Sequence, residues 1–299
     1  MSEMSDDGTS AAGTRLDVRK TYKLFIGGAF PRSESGRSYP VSSPVGDPLA
    51  NAAQASRKDV RDAVVAARGA ARGWQEATAY NRGQVLYRVA ELLEGRAAQF
   101  VAEVAACEGA SAAAARRTVD AAVDRWVWYA GWSDKVAHVA GSANPVAGPY
   151  FNFSVPEPTG VVAIIAPGTS SLLGLVSVLA PVIVTGNTAV VIASETRPLP
   201  AVTLAEVIAT SDVPPGVVNV LTGRTAELAP VLAAHMDVNA IDLSGAAPDA
   251  RAELERLAAG NVKRVYIPGP QAEASDREPD LRRMLAFLET KTVWHPIGI

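Results

Sequence analysis

The apolar positions of this chain change their period twice. After Ser56, a hydroxyl placed to cap a helix from Arg57 onward, Val60, Val64, Val65 and Ala67 recur at helical spacing. Three further helical runs follow. One carries Val85, Leu86, Val89, Ala90, Leu92 and Leu93. The next carries Phe100, Val101, Val104 and Ala105. The last spans about Ala112 to His138 and carries Trp126, Trp128, Tyr129 and Trp132. Frequent alanine lets such helices approach closely. Upstream, Gly27-Gly28 between Leu24-Phe25-Ile26 and Ala29-Phe30 predicts a hairpin. "PVAGPYFNFSVPEP" breaks the helical pattern and reads as a crossing segment.

From Thr159 the pattern becomes strand and helix in alternation. "GVVAIIAP", "NTAVVIAS", "VPPGVVNVLTG", "VNAIDLSG" and "KRVYIPG" read as strands. "SSLLGLVSVLAPVIVTG", "LPAVTLAEVIATS", "TAELAPVLAAH" and "PDARAELERLAAG" read as the helices between them. Strands that are apolar without alternation are buried on both faces, which belongs to a parallel sheet. Right-handed crossovers then give an α/β fold with a doubly wound parallel sheet. "PGPQAEASDREPD" reads as an exposed linker. The final "ETKTVWHPI" is β-prone, with no following element to pair it. It either adds to a partner's sheet or pairs within its own chain, with the hairpin at residues 24–30 as the nearest choice.

Composition narrows the function classes. The 299 residues are 48% hydrophobic and 20% charged, which fits one large globular domain or two smaller ones. A net charge of −3 gives no electrostatic case for nucleic acid or an anionic membrane. The longest apolar stretch, Leu172 to Val184, is interrupted by Gly174, Ser177 and Pro181 and is too short to span a bilayer. Residues 1–21 are small and polar, lack the apolar core of a signal peptide, and read as a disordered tail. The single cysteine excludes an internal disulfide and points to the cytoplasm. His138, His235 and His295 lie far apart, without metal-ligand spacing.

"GNTAVVIASE", residues 186–195, carries the first candidate chemistry. Glu195 closes a strand, a common place for a carboxylate that holds a ribose. Yet the residue three places earlier is Ile192, which can make no hydrogen bond.

Taken together, "LFIGGAF", "WQEATAYNRGQVLYRVAELLEGRAAQF", "WVWYAGWSDKV", "EPTGVVAIIAP", "GNTAVVIASE", "VPPGVVNVLTG", "IDLSGA" and "FLETKTVWHPIG" resemble, in order, motifs of the NAD(P)-dependent aldehyde dehydrogenase superfamily. The resemblance covers about residues 22–270 and 281–299. It implies a cofactor domain over residues 22–270, with an oligomerisation hairpin near 140–158. It further implies a linker at 271–280 in place of a catalytic domain, and a C-terminal oligomerisation strand over 281–299. Residues 166 and 167 (Ala166, Pro167), Ser194, Glu195, Gly223, Ser244 and Gly245 stand where the family binds its dinucleotide.

The departures bear on function. Thr169 replaces the family's oxyanion-donating Asn, a loss worth about 2.7–4 kcal/mol of transition-state stabilisation in comparable sites. Pro268 replaces its catalytic Glu, and proline cannot act as a base. The nucleophilic Cys is absent, and Cys107 lies where the family has none. Aldehyde oxidation of this type needs a thiolate to attack the carbonyl and a base to free the acyl-enzyme. Ile192 replaces a ribose-binding Lys, Ala246 removes a phosphate-binding hydroxyl, and Asp249 puts negative charge at a helix start. The resemblance therefore implies a non-catalytic subunit, or pseudoenzyme, whose NAD or NADP binding is weak or lost. Its partner would be a full-length aldehyde dehydrogenase in a hetero-oligomer, or a second copy in a homo-oligomer. The alternative is an oxidoreductase subunit that binds NAD(P) while the chemistry is supplied in trans.

Overall fold

The computed structural model describes residues 18–269 and 278–298. Near the N-terminus, β1 (Thr21–Tyr22), β2 (Ser38–Ser42) and β3 (Pro48–Ala53) form a small sheet in the order β1-β3-β2. Most of the expected tail, residues 1–17, lies outside the described residues. Its last residues are structured: Asn51 N–H donates to the Lys20 carbonyl at 3.0 Å, and Lys20 Nζ reaches Glu206 at 3.0 Å. Gly27 and Gly28, at φ +60° and +81°, make the two-residue turn that a Gly-Gly pair permits. Ile26 and Ala29 exchange two backbone bonds across it. The hairpin continues to Leu24, whose N–H donates to the Pro31 carbonyl at 3.1 Å, while Phe25 faces the other way and exchanges bonds with Val220.

Four helices follow: α1 (Arg57–Glu76), α2 (Ala79–Gly95), α3 (Ala97–Glu108) and α4 (Ala112–Ala130). Ser56 caps α1 as its position predicts. Its hydroxyl accepts from Asp59 N–H while the Asp59 carboxylate accepts from Ser56 N–H, a reciprocal capping box. Val60, Val64 and Ala67 are buried, but Val65 is 63% exposed. One residue further round the helix, it leaves the apolar stripe. The fourth helix does not run to His138 as its pattern suggested. It ends at Ala130, where the chain tightens into Trp132→Tyr129 and Ser133→Ala130 backbone bonds before α5 (Val136–Ala140). Gly83 of α2 passes so close that a Cβ there would sit 2.9 Å from the Ala130 carbonyl oxygen.

A hairpin of β4 (Ser142–Asn144) and β5 (Tyr150–Pro158) leads into the main sheet. The alternation is β6 (Val161–Ile165), α6 (Leu173–Val184), β7 (Thr188–Ile192), α7 (Leu199–Thr210), β8 (Val218–Leu221), α8 (Thr225–Ala234), β9 (Ala240–Asp242), α9 (Pro248–Ala258) and β10 (Arg264–Tyr266). All five strands are parallel, in the order β10-β9-β6-β7-β8. The first strand is central and the order reverses beside it, so the sheet is doubly wound, with its switch point between β6 and β9.

Alternate residues of the central strands enter two different cores. Val162, Ile164, Ala189 and Val191 face α6 and the N-terminal helices. Val161, Ala163, Ile165, Val190 and Ile192 face α1 and α8. Two buried faces require apolar residues at every position. Ile192 is therefore a core residue: it is fully buried in the cluster that holds Val60, Val64 and Leu228.

The C-terminal segment forms α10 (Arg282–Ala286) and β11 (Leu288–Pro296). β11 pairs antiparallel with β5 along its full length, from Leu288 opposite Pro158 to Pro296 opposite Tyr150. Of the two expectations for the terminal strand, pairing within the chain is the one found, and the strand it joins is corrected to β5. β11 does not wait bare for a partner, and it does not join the hairpin at residues 24–30. The order β11-β5-β4 leaves only its outer edge unpaired among the described residues. Buried Asn187 anchors the join: its side chain accepts from Gly160 N–H at 2.8 Å and donates to the Phe287 carbonyl at 2.9 Å. Among the described residues no helix is long and apolar enough to cross a membrane, and no cluster of side chains is suited to a metal ion.

Candidate functional site

Ligands of doubly wound sheets bind beyond the carboxyl ends of the strands, at the switch point. Every candidate cofactor position lies at that end of the sheet, but the positions fall into two separate groups.

The first group lies beyond β7 and β8. Glu195 is held from two sides: one carboxylate oxygen is 2.6 Å from Arg224 Nη1, and the other accepts from Thr225 N–H, in the first turn of α8, at 3.0 Å. A carboxylate at a helix start satisfies an orphan N–H and complements the dipole. The hydrogen bond to Glu195 raises the pKa of Arg224 further. The same guanidinium lies 5.4 Å from the centre of the Tyr39 ring. Burial, and the Glu195 charge after it, push the Tyr39 phenol well above its usual range. Ser194 Oγ accepts from Arg197 N–H at 3.2 Å and closes a turn. Gly223, at φ +147°, lets β8 turn into α8; a Cβ there would be 3.1 Å from Ala55 N.

The second group lies at the switch point. Ala166 N–H donates to the Ile192 carbonyl. Gly245 N–H donates to the Ile165 carbonyl at 2.8 Å, and a Cβ on Gly245 would lie 2.0 Å from the Ala166 oxygen. The close approach that glycine allows is thus spent on the chain's own β6. Pro167 is half-buried and Thr169 is exposed, with the Thr169 carbonyl accepting from Arg197 Nη1 at 2.8 Å. Ser170 Oγ accepts from Gly174 N–H, and Ser171 donates through both N–H and Oγ to Glu108 at 2.7 Å. The loop beyond β6 is therefore tied to α3 and to Arg197.

Sequence reasoning missed the strongest electrostatic feature here. Asp242, the last residue of β9, is fully buried. One carboxylate oxygen accepts from Ser244 through both N–H and Oγ. The other pairs with Arg283 of α10, which also donates to Ser244 Oγ at 2.9 Å and lies 4.5 Å from the centre of the Tyr266 ring. Burial works against the charge of Arg283, but the Asp242 carboxylate outweighs it and the net shift is upward. The signal was present in the sequence: an Asp inside "AIDL" demands a cationic partner.

The remaining chemistry is sparse. Cys107 on α3 is 2% exposed, and its thiol is pushed up to about 12 by burial, then by Glu103 and Glu108. Pro268, just beyond β10, is buried and carries no ionisable group. Pro248 opens α9 with Asp249 in its first turn and no side-chain cap. At these positions Glu195 is engaged by Arg224 and α8, Gly245 abuts the end of β6, Ile192 is in the core, and Asp249 puts a negative charge in the first turn of α9.

Comparison with known proteins agrees with the fold. The profile of the aldehyde dehydrogenase family matches residues 30–268. An aldehyde dehydrogenase of Alternaria alternata is 32% identical over 280 residues, covering 92% of this chain and 54% of the relative. The crystal structure of HpcC from Thermus thermophilus superposes with a TM-score of 0.76 at 30% identity, covering 82% of this chain and 47% of that one. An aldehyde dehydrogenase from Bacillus cereus, solved as its NAD+ complex, gives 0.77 at 27% identity, with 82% and 50% covered. The chain thus spans about half the length of the relatives it matches. The chain belongs to the aldehyde dehydrogenase family.

Proposed function

We propose that this chain is a non-catalytic subunit of its family, a pseudoenzyme that associates in the cytoplasm with a complete aldehyde dehydrogenase. One observation carries the reading. The only thiol among the 299 residues, Cys107, is buried on a helix and protonated far above neutral pH. A nucleophile must be a thiolate and must reach the carbonyl. Thr169 and Pro268 at the two other catalytic positions support the same reading.

The cofactor follows the same logic. The ion pair and helix-end bond of Glu195, and the burial of Ile192, support NAD or NADP binding that is weak or lost. Association is supported by the β4-β5-β11 sheet, whose β11 edge is unpaired among the described residues and which exposes Tyr150, Phe151 and Trp294, with Ile297 exposed just beyond it. Exposed aromatic groups beside an unpaired strand edge are characteristic of interaction surfaces.

Co-expression of the tagged chain with a complete aldehyde dehydrogenase from the same organism tests the reading. The expected result is a complex that survives purification at stoichiometric mass. Recovery of the two proteins as separate species, across every complete paralogue of that organism, would overturn it.

A further inference from the structure

Two turns at the amino end of the parallel sheet are tied together. One joins α8 to β9 through His235, Met236, Asp237 and Val238. The other joins α9 to β10 through Asn261, Val262 and Lys263. The Asn261 side chain bridges them, donating to the Met236 carbonyl at 2.9 Å and to the Val238 carbonyl at 3.1 Å. Its amide oxygen accepts from Lys263 Nζ. Just beyond, the Asn239 side chain accepts from Val161 N–H at 3.0 Å and from Arg68 Nη2 of α1 at 2.5 Å. The tied turns thus secure the start of β9 against β6 and α1.

The arrangement is held under strain. Val262, at φ +59°, is the one residue other than glycine with a positive φ among the described residues, and a β-branched side chain is disfavoured there. It follows α9 at the position where glycine is the usual choice. Val262 N–H donates to the Ala259 carbonyl and Lys263 N–H to the Ala258 carbonyl, each at 3.2 Å. Val262 is 90% exposed, so no packing of its own offsets the strain. Lys263 is buried, and its ammonium meets the Asn261 oxygen but no carboxylate among the described residues. Strain of this kind persists only where the surrounding bonds over-determine it.

His235 is the titratable member of the network. Its Nδ1 accepts from Asp237 N–H at 3.2 Å, a bond that only an imidazole unprotonated at Nδ1 can make. Burial holds His235 below the ordinary histidine range; Asp237 opposes this, and Lys263 and Arg61 of α1 add to it. We infer that the two turns form an acid-opened latch: protonation of His235 turns the acceptor of Asp237 N–H into a donor, adds charge beside Lys263 and Arg61, and frees the strained turn at Val262. The latch is closed above pH 6.5 and loosens as pH falls through the lowered value of His235. The inference goes beyond the proposed function and does not depend on it.

The test follows the purified chain by NMR between about pH 7.5 and about pH 5. The His235 ring resonance is assigned with His235→Asn, whose side-chain oxygen can still accept from Asp237 N–H but does not titrate. Amide exchange at Asp237 and at Lys263, corrected for its intrinsic pH dependence, reads each of the two turns. Both amides are expected to lose protection together, along the titration of His235, while those of the central strand β6 keep theirs. In His235→Asn that loss is expected to disappear, and Val262→Gly is expected to move it to lower pH. The same loss of protection in a folded His235→Asn overturns the inference. So does protection at Lys263 that is indifferent to the protonation of His235, which the unaltered chain decides alone if a variant fails to fold.

Discussion

Arg283 of α10 pairs with the fully buried Asp242 at the end of β9, forty-one residues earlier. The pair, with Ser244 and Tyr266 around it, fixes the C-terminal segment onto the carboxyl end of the parallel sheet. It joins the part of the chain that resembles a cofactor domain to the strand that completes the small β4-β5-β11 sheet. A buried carboxylate at that point needs a cation, and α10 delivers one.

Removing one member of that pair strands the other. Asp242→Ala or Arg283→Met is expected to cost about 3–5 kcal/mol of folding stability. The double variant is expected to lose less than the two single losses added, because no uncompensated charge remains. Urea unfolding of the four proteins measures the coupling. Additive losses would show that Arg283 and Asp242 act independently.

Glu195 separates a structural role from a ligand role. Glu195→Gln removes the charged acceptor of Thr225 N–H and is expected to lower stability by about 1 kcal/mol, while leaving any residual dinucleotide affinity unchanged. Chemical unfolding and NAD(P) titration of the same preparation measure both quantities. A variant of unchanged stability but reduced affinity would make Glu195 a ribose ligand.

Cys107 predicts a pH dependence with a definite sign. Burial raises its pKa from 9.0 to about 12, so between those values the unfolded thiol ionises while the folded one does not. The contribution is fully present below pH 9 and is lost as pH rises toward 12. Stability should therefore fall across alkaline pH, less steeply in Cys107→Ala. At neutral pH the native thiol should resist iodoacetamide, and in denaturant it should react as one equivalent. Rapid alkylation of native protein at neutral pH would contradict the burial.

The edge position of β11 predicts an alternating pattern of amide exchange. Amides that point to β5 are bonded, and those on the outer edge are open to solvent. Hydrogen exchange followed by NMR should show protected and fast amides in turn from Leu288 to His295. Adding a complete aldehyde dehydrogenase should slow the fast set if it seats on that edge. Uniform protection in the isolated chain would mean that the edge is already covered.

The strand and helix order of the sheet was legible because burial on both faces demands unbroken apolar runs, as in "GVVAIIAP" and "NTAVVIAS". The cap at Ser56 was equally local. Relations over long separations were not legible. Nothing around Trp294 announces that Asn152 is its opposite number on β5, and nothing near Asp242 points to Arg283. The end of α4 at Ala130 was hidden because the apolar spacing continues through Trp132 while the backbone does not. In the candidate site, Glu195 and Ile192 were found from the strand pattern. Arg224, which claims Glu195, was not, because its role depends on two strand ends meeting.

The most direct test of the account is turnover. Homogeneous protein, freed of host dehydrogenases, would be mixed with NAD or NADP and a panel of aliphatic and aromatic aldehydes, and nicotinamide reduction followed by its absorbance. No reduction above the protein-free rate is predicted. Steady reduction that co-purifies with the chain, and that disappears in Cys107→Ala of unchanged fold, would contradict it.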